Sequence, residues 1–131
     1  MRKYVTIIIL GILLIASSGI INTSCKTPGA PKAVVYVIEV KENNVAWPVN
    51  MAEVKLDPPD GASQPDLIEY TQKPKLTDPN GKVTYDFKYE GIIKVVAQKY
   101  EGSILKCGQG VLILKEGETV QETVRLSECY E

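Results

Sequence analysis

Lys82-Val83-Thr84-Tyr85-Asp86-Phe87-Lys88-Tyr89-Glu90 is the most regular stretch of the chain. Val83, Tyr85, Phe87 and Tyr89 alternate with Lys82, Thr84, Asp86, Lys88 and Glu90. Successive side chains of a strand point to opposite faces, so this spacing predicts an antiparallel strand with an apolar, aromatic face on a core and a charged face in water. The residues before it, Leu76-Thr77-Asp78-Pro79-Asn80-Gly81, predict a tight turn. Asp before Pro starts a turn, and Asn-Gly supplies residues that tolerate positive φ.

The same period of two recurs outward in both directions. Residues 92–100 (IIKVVAQKY) predict the next strand, with Ile93, Val95 and Ala97 together. Residues 33–42 (AVVYVIEVKE) predict a first strand, with Val34, Tyr36, Ile38 and Val40 on one face, and Asn43-Asn44 turns the chain. Residues 49–56 (VNMAEVKL) predict a second strand with Ala52, Val54 and Leu56 on one face, and Pro48 at its start, where a missing donor is tolerated. Residues 67–71 (LIEYT) read as a short edge strand, and residues 110–115 (GVLILK), apolar on both faces, as a central one. Residues 118–126 (ETVQETVRL) close the series with Val120, Val124 and Leu126 aligned. Glu122 interrupts that face, which predicts an edge position or a bulge, or else a functional carboxylate. No segment of ten or more residues carries a helical period. About seven short strands separated by turn signals predict an all-β fold, a single antiparallel β-sandwich.

Pro48-Val49-Asn50-Met51-Ala52-Glu53-Val54-Lys55-Leu56 resembles the PV-x-x-A-x-V-x-L strand of carboxypeptidase regulatory-like domains. Thr77-Asp78-Pro79-Asn80-Gly81-Lys82-Val83-Thr84-Tyr85 is similar to the TD-x-NG-x-aromatic hairpin of the same group, and the strand over 92–100 follows in order. The likeness spans residues 35–126 and is shared by transthyretin-like and bacterial Ig-like sandwiches. It implies a Greek-key sandwich of prealbumin type, and it leaves activity open because such domains serve as stalks, adaptors and ligand modules. Transthyretin-like hydrolases use histidines and a distinctive C-terminal tail. This chain has no histidine and ends RLSECYE, so that activity is not carried over.

The first 25 residues address the chain. Arg2 and Lys3 precede 17 uncharged residues, 5–21, and then Asn22-Thr23-Ser24-Cys25. A basic start, an apolar run and a cysteine behind a small residue resemble a bacterial lipoprotein signal. Ser24 fits the small position, whereas Asn22 stands where such signals usually carry Leu. Residues 1–24 are therefore expected to be a signal peptide, residues 25–32 a lipidated Cys25 and a Pro/Gly tether, and residues 33–131 the sandwich. An uncleaved anchor and an ordinary cut near Ala16-Ser17-Ser18 are the rivals. The anchor is short, since a spanning helix wants about 20 apolar residues. All three readings place the domain outside the cytoplasm, and the first places it in the bacterial cell envelope, in the outer membrane on its periplasmic or surface side.

Removing residues 1–24 leaves 107 residues, with 13 basic against 16 acidic side chains. A single domain of common size follows. With no basic stripe there is no footprint for nucleic acid. The absence of histidine excludes Ser-His and Cys-His nucleophile pairs and removes the commonest metal ligand. With Cys25 used by the lipid, Cys107 and Cys129 are left in an oxidising compartment and are expected to form a disulfide. Closing that loop is worth about 3 kcal/mol in the chain-entropy model.

Few residues point to binding chemistry. Asp57, Asp60 and Asp66 lie in a Pro-rich stretch, where oxygens could take calcium but where solvated turn residues are the plainer reading. Asp78-Pro79-Asn80-Gly81 lacks the distant bidentate Glu of a calcium loop and reads as a turn. Trp47, the only tryptophan, stands just before Pro48, placed either to stack on a sugar or partner or to cap one end of the sandwich. The aromatic row of Tyr85, Phe87 and Tyr89 reads as a core face, or else as a binding platform. No catalytic, cofactor or metal set is expected. The expectation is a lipid-anchored envelope protein that is non-enzymatic, a structural or protein-interaction module. A glycan- or ligand-binding module using Trp47 and the acidic loop is the alternative, and a carboxylate-dependent hydrolase is a remote third.

Overall fold

The computed structural model describes residues 29–58 and 73–130. Every regular element there is a strand: β1 (Lys32–Val40), β2 (Ala46–Pro48), β3 (Glu53–Asp57), β4 (Lys75–Leu76), β5 (Lys82–Asp86), β6 (Gly91–Glu101), β7 (Ile104–Leu114) and β8 (Thr119–Glu128). They form one curled mixed sheet in the order β2-β1-β8-β7-β6-β3-β4, with β5 also on β1. The fold is all-β, as the alternation predicts. The halves β2-β1-β5 and β4-β3-β6-β7 enclose the core like a sandwich, and β8 belongs to both. One pairing is not antiparallel. Thr119–Leu126 of β8 run parallel to Lys32–Glu39 of β1, because both strands leave the same end of the domain.

Alternation places most of the core where the sequence puts it. Ala52, Val54 and Leu56, then Ile93, Val95 and Ala97, then Val124 and Leu126 are all buried. Burying such aliphatic side chains contributes about 1.5–3 kcal/mol each. The first strand is different: Val34, Tyr36, Ile38 and Val40 do share a face, but the side that lines the core is Ala33, Val35 and Val37. Apolar residues stand on both faces of β1, so period alone does not choose between them. The aromatic row is also shorter than its spacing implies. Tyr85 and Phe87 are buried with ring centroids 6.2 Å apart, but β5 ends at Asp86 and Tyr89 lies exposed in the bend that leads into β6.

The predicted strand over 49–56 is broken. Pro48 ends the short edge strand β2, residues 50–51 turn, Met51 takes φ 58°, and β3 begins only at Glu53. A buried threonine makes this corner. The Thr77 hydroxyl, 2% exposed, donates to the Val49 carbonyl at 2.6 Å and accepts from the Ala52 amide at 2.9 Å. Its backbone amide donates to the Ala52 carbonyl, and its carbonyl accepts from the Met51 amide. The adjoining turn is held by Asp78, whose carboxylate accepts from the amides of Asn80 and Lys82, each at 2.9 Å. Gly81 follows at φ 70°, and a Cβ there would stand 2.5 Å from the Val37 carbonyl oxygen. Only glycine suits both demands. The Gly81 carbonyl accepts from the Val37 amide, and the Val37 carbonyl accepts from the Val49 amide, so β1 passes from β5 to β2 along one edge at this point.

β7 is central, as its apolar run predicts, and it starts six residues earlier than the predicted 110, at Ile104. Its partner β6 is matched over its whole length, Gly91 with Leu114 through Glu101 with Ile104. Glu122 sits neither at an edge nor on a bulge: it is paired with Val35 inside the β1–β8 ladder. Gly110 makes room for it, since a Cβ at that glycine would lie 2.6 Å from the Glu122 carboxylate. Cys107 and Cys129 form the expected disulfide, beside the short pairing of Lys106–Cys107 with Ser127–Glu128. Cys25, Asp60, Asp66 and the strand expected over 67–71 lie outside the described residues.

Two stability predictions follow from the corner and the bridge. Thr77→Val keeps the shape but leaves a buried amide and carbonyl without partners, so urea unfolding is expected to show a loss of about 2–4 kcal/mol. Thr77→Ser keeps the hydroxyl and is expected to lose only about 1 kcal/mol. An unchanged midpoint for Thr77→Val would contradict the role assigned to the hydroxyl. Replacing Cys107 and Cys129 together by Ser is expected to lower stability by about 2–4 kcal/mol, and iodoacetamide should label these positions in the native protein only after reduction.

Candidate functional site

Strand parity carries the core out into a charged mouth. Inward positions of β1 run through Val35 and Val37 to Glu39. On β6 the run Ile93, Val95, Ala97 continues at the same parity to Lys99 and Glu101. On β7 Leu114 and Leu112 lead back to Lys106, and on β8 Val124 and Leu126 lead to Glu128. Register brings the four ends together: Glu39 is matched with Leu126, and Lys106 with both Lys99 and Glu128.

Lys106 is the hub of this end. Its half-buried ammonium is bonded to Glu39 of β1 and Glu101 of β6, joining both halves of the fold. The hydrogen bond that it donates to Glu101, then the one to Glu39, raises the lysine to about 12. The same bond to Lys106 holds the Glu101 carboxyl below its ordinary value of 4.5. Charge-assisted pairs of this kind fix the direction in which carboxylate oxygens point. Val40, Lys41, Glu42, Asn43 and Glu128 complete an open cleft of about 650 Å³ around them.

Trp47 does not line the cleft but stands next to two residues that do. It lies on β2 directly across from Glu39, with the Lys41 ammonium 5.6 Å from its ring centroid. The side chain is 53% exposed, so it is not the buried cap that its position before Pro48 allowed. Two turns hold it there. Asn44, at φ 54°, donates its amide to the Lys41 carbonyl and closes the β1–β2 hairpin, while the Thr77 corner pulls the chain inward after Pro48. Cation–π contact with an exposed lysine is worth about 0.5–1 kcal/mol, so a ligand of better complementarity can displace it.

Of the acidic residues singled out with Trp47, only Asp57 lies among the described residues. Asp57 is matched with Lys94, toward the other end of β6, and its carboxylate lies 3.7 Å from the Lys55 ammonium. Glu39, Glu101, Lys106 and Glu128 escaped sequence reasoning because they lie past the last apolar residue of each alternation, Glu101 beyond Lys99 and Lys106 beyond Gly110 and Gly108. Extending the period of two past the last apolar residue of each strand would have found them. Among the described residues no group of three or more His, Cys, Asp or Glu is placed to hold a metal ion. A second hollow on the outward face, over Val96, Gln109 and Arg125 beside Cys107, is open and lacks an aromatic platform. The mouth offers carboxylate acceptors and lysine and Asn43 donors, with the Trp47 indole alongside, which suits a polyhydroxylated ligand.

The pH dependence has a definite sign. Glu101, depressed in the folded state, stabilises the fold above its ordinary value, and that contribution is lost as pH falls through its lowered folded value. Lys106, raised to about 12, contributes below its ordinary 10.5, and that contribution is lost as pH rises through about 12. Carboxyl NMR titration is expected to find Glu101 below 4.5 in the native protein and moved upward in Lys106→Met. An unmoved titration would break the proposed hub.

No protein-family model matches the chain, and no curated protein sequence is similar to it. Among solved structures it is similar to a Pseudomonas aeruginosa protein described as a "putative carbohydrate binding protein". The likeness covers 76% of this chain and 90% of that one, at 10% identity and a TM-score of 0.49. At that level it carries no argument about what this chain binds.

Proposed function

We propose that the protein is an exported, lipid-anchored envelope module that binds glycans at the Trp47 mouth and carries out no catalysis. The observation that carries this reading is the half-exposed Trp47 beside a cleft whose carboxylates are already oriented by Lys106. Tryptophan is a large amphipathic side chain that a small domain ordinarily uses for burial. Held on a short edge strand next to fixed acceptors and donors, it matches a site that stacks one face of a sugar ring and hydrogen-bonds its hydroxyls. This moves the reading from a purely structural module to a ligand module.

Charge narrows the ligand class. The cleft is lined by Glu39, Glu42, Glu101 and Glu128 against Lys41 and Lys106. An acidic excess repels sulfated or uronic chains and favours neutral or amino sugars. The Thr77 corner and the Gly81 turn support kinship with carboxypeptidase regulatory-like sandwiches, whose quoted strand and hairpin they explain physically. The address rests on the leader: Arg2, Lys3, the apolar run and Ser24-Cys25 support export with a diacylglyceryl group on Cys25 and an outer-membrane location. Intact mass of the natively expressed protein tests that part, because a retained leader would contradict it.

Tryptophan fluorescence tests the binding. Titration with neutral and amino-sugar oligosaccharides is expected to give a saturable shift or quench of the single indole. Trp47→Ala is expected to abolish binding followed by calorimetry while leaving thermal stability nearly unchanged. No response to any saccharide, or full affinity in Trp47→Ala, would sink the proposal.

A further inference from the structure

The attachment point of the tether fixes which end of the domain faces a membrane. Only four residue steps separate Cys25 from Gly29. Gly29 is fastened down, its carbonyl accepting from the Gly117 amide at 2.6 Å. The next residues are held as well: the Pro31 carbonyl accepts from the Phe87 amide, and the Lys32 amide donates to the Glu118 carbonyl. The chain therefore enters the domain at the end formed by the β5–β6 and β7–β8 turns. Four fully extended residues reach at most about 14 Å.

Four exposed apolar side chains lie at that same end on or beside one sheet face, whereas Val45, Trp47, Tyr100 and Ile104, exposed at the other end, are spread over two hairpins. On the outward face of β6 and β7, Ile92 and Ile113 stand directly opposite one another, 57% and 56% exposed. Val111 lies two residues along β7 on the same face, also about half exposed, and exposed Tyr89 sits in the bend before β6. Lys94 stands directly opposite Val111, its long side chain able to reach the headgroups, and farther along that face come Val96 opposite Gln109 and then Gln98. The mouth with Trp47 is at the opposite end of the strands.

We propose that Tyr89, Ile92, Val111 and Ile113 form a membrane-docking face, which seats in the headgroup and upper acyl region of the leaflet that holds the Cys25 lipid and turns the Trp47 mouth away from it. This rests on the reading of Cys25 as lipidated. A contiguous exposed aliphatic patch calls for a cover, and the bilayer is the cover that a short tether keeps within reach at high effective concentration. Tyrosine beside aliphatic side chains is the composition that suits a membrane interface.

The test uses the full chain expressed with its leader and reconstituted in phosphatidylethanolamine–phosphatidylglycerol vesicles that carry a shallow doxyl-lipid quencher. Intact mass is read first. Two single-tryptophan proteins are compared, the native chain and Trp47→Phe/Ile92→Trp, with Trp47→Phe/Ile113→Trp as a second probe should the first misfold. The expected result is loss of most of the emission, with a blue shift, for the Ile92→Trp or Ile113→Trp probe, and little change for native Trp47. A lipidated protein whose probes are not quenched overturns the docking and leaves the anchor standing. Equal quenching of native Trp47 overturns the orientation. Protection of the probes by a concentration-dependent dimer overturns the bilayer as occupant. A mass without lipid on Cys25 overturns both the anchor and the docking built on it.

Discussion

The Thr77 hydroxyl, shared between the Val49 carbonyl and the Ala52 amide, is the contact on which the arrangement of both halves depends. It lies within the protein interior, where a missing partner is costly, so it dictates the corner between β2 and β3. That corner sends Ala52, Val54 and Leu56 into the core and stops β2 at Pro48. The turn next to it brings Gly81 against the Val37 carbonyl, closer than any side chain would allow. β5 and β2 are thereby laid end to end along one edge of β1. Trp47 is left on a three-residue edge strand, exposed, because the chain after it is drawn inward.

From this geometry the two ends of the molecule acquire different characters. At one end Gly29, the turns 87–90 and 115–118 and the exposed Ile92–Ile113 pair lie together. At the other, the inward parity of β1, β6, β7 and β8 ends in charges, and Lys106 ties Glu39 to Glu101 across the opening. The Cys107–Cys129 bridge secures β7 to the end of β8 near that opening, where the hydrogen-bonded register between the two strands spans only two residue pairs. A ligand site at the mouth of a small sandwich needs such fastening, since strand ends fray first.

Much of this was legible before the structure, and the exceptions have physical causes. β5 shows clean alternation with one wet face, so its core side follows from period alone, and the predicted core sides of β6 and β8 hold although Ile92 and Val96 stand on the outward face of one and Glu122 on the inward face of the other. β1 carries aliphatic residues on both faces, and its choice of Ala33, Val35 and Val37 depends on packing that the sequence does not display. The first half of β7, Ile104–Gly110, contains two glycines and a cysteine, has little strand propensity, and is held by its full-length match with β6. The parallel pairing of β1 with β8 joins the first strand to the last and has no turn to announce it. Trp47 stood out by composition, but its charged neighbours did not, because proximity there arises from register between strands far apart in sequence.

Recognition at the mouth beside Trp47 is open to a direct test. The most direct test is a backbone-amide and indole NMR titration of the folded protein with a neutral or amino-sugar oligosaccharide. Binding there would give saturable shifts confined to the Trp47 indole, residues 39–47, the Glu101–Lys106 hairpin and Glu128. Shifts confined to the outward face around Ile92 and Ile113, or none with any saccharide, would contradict it.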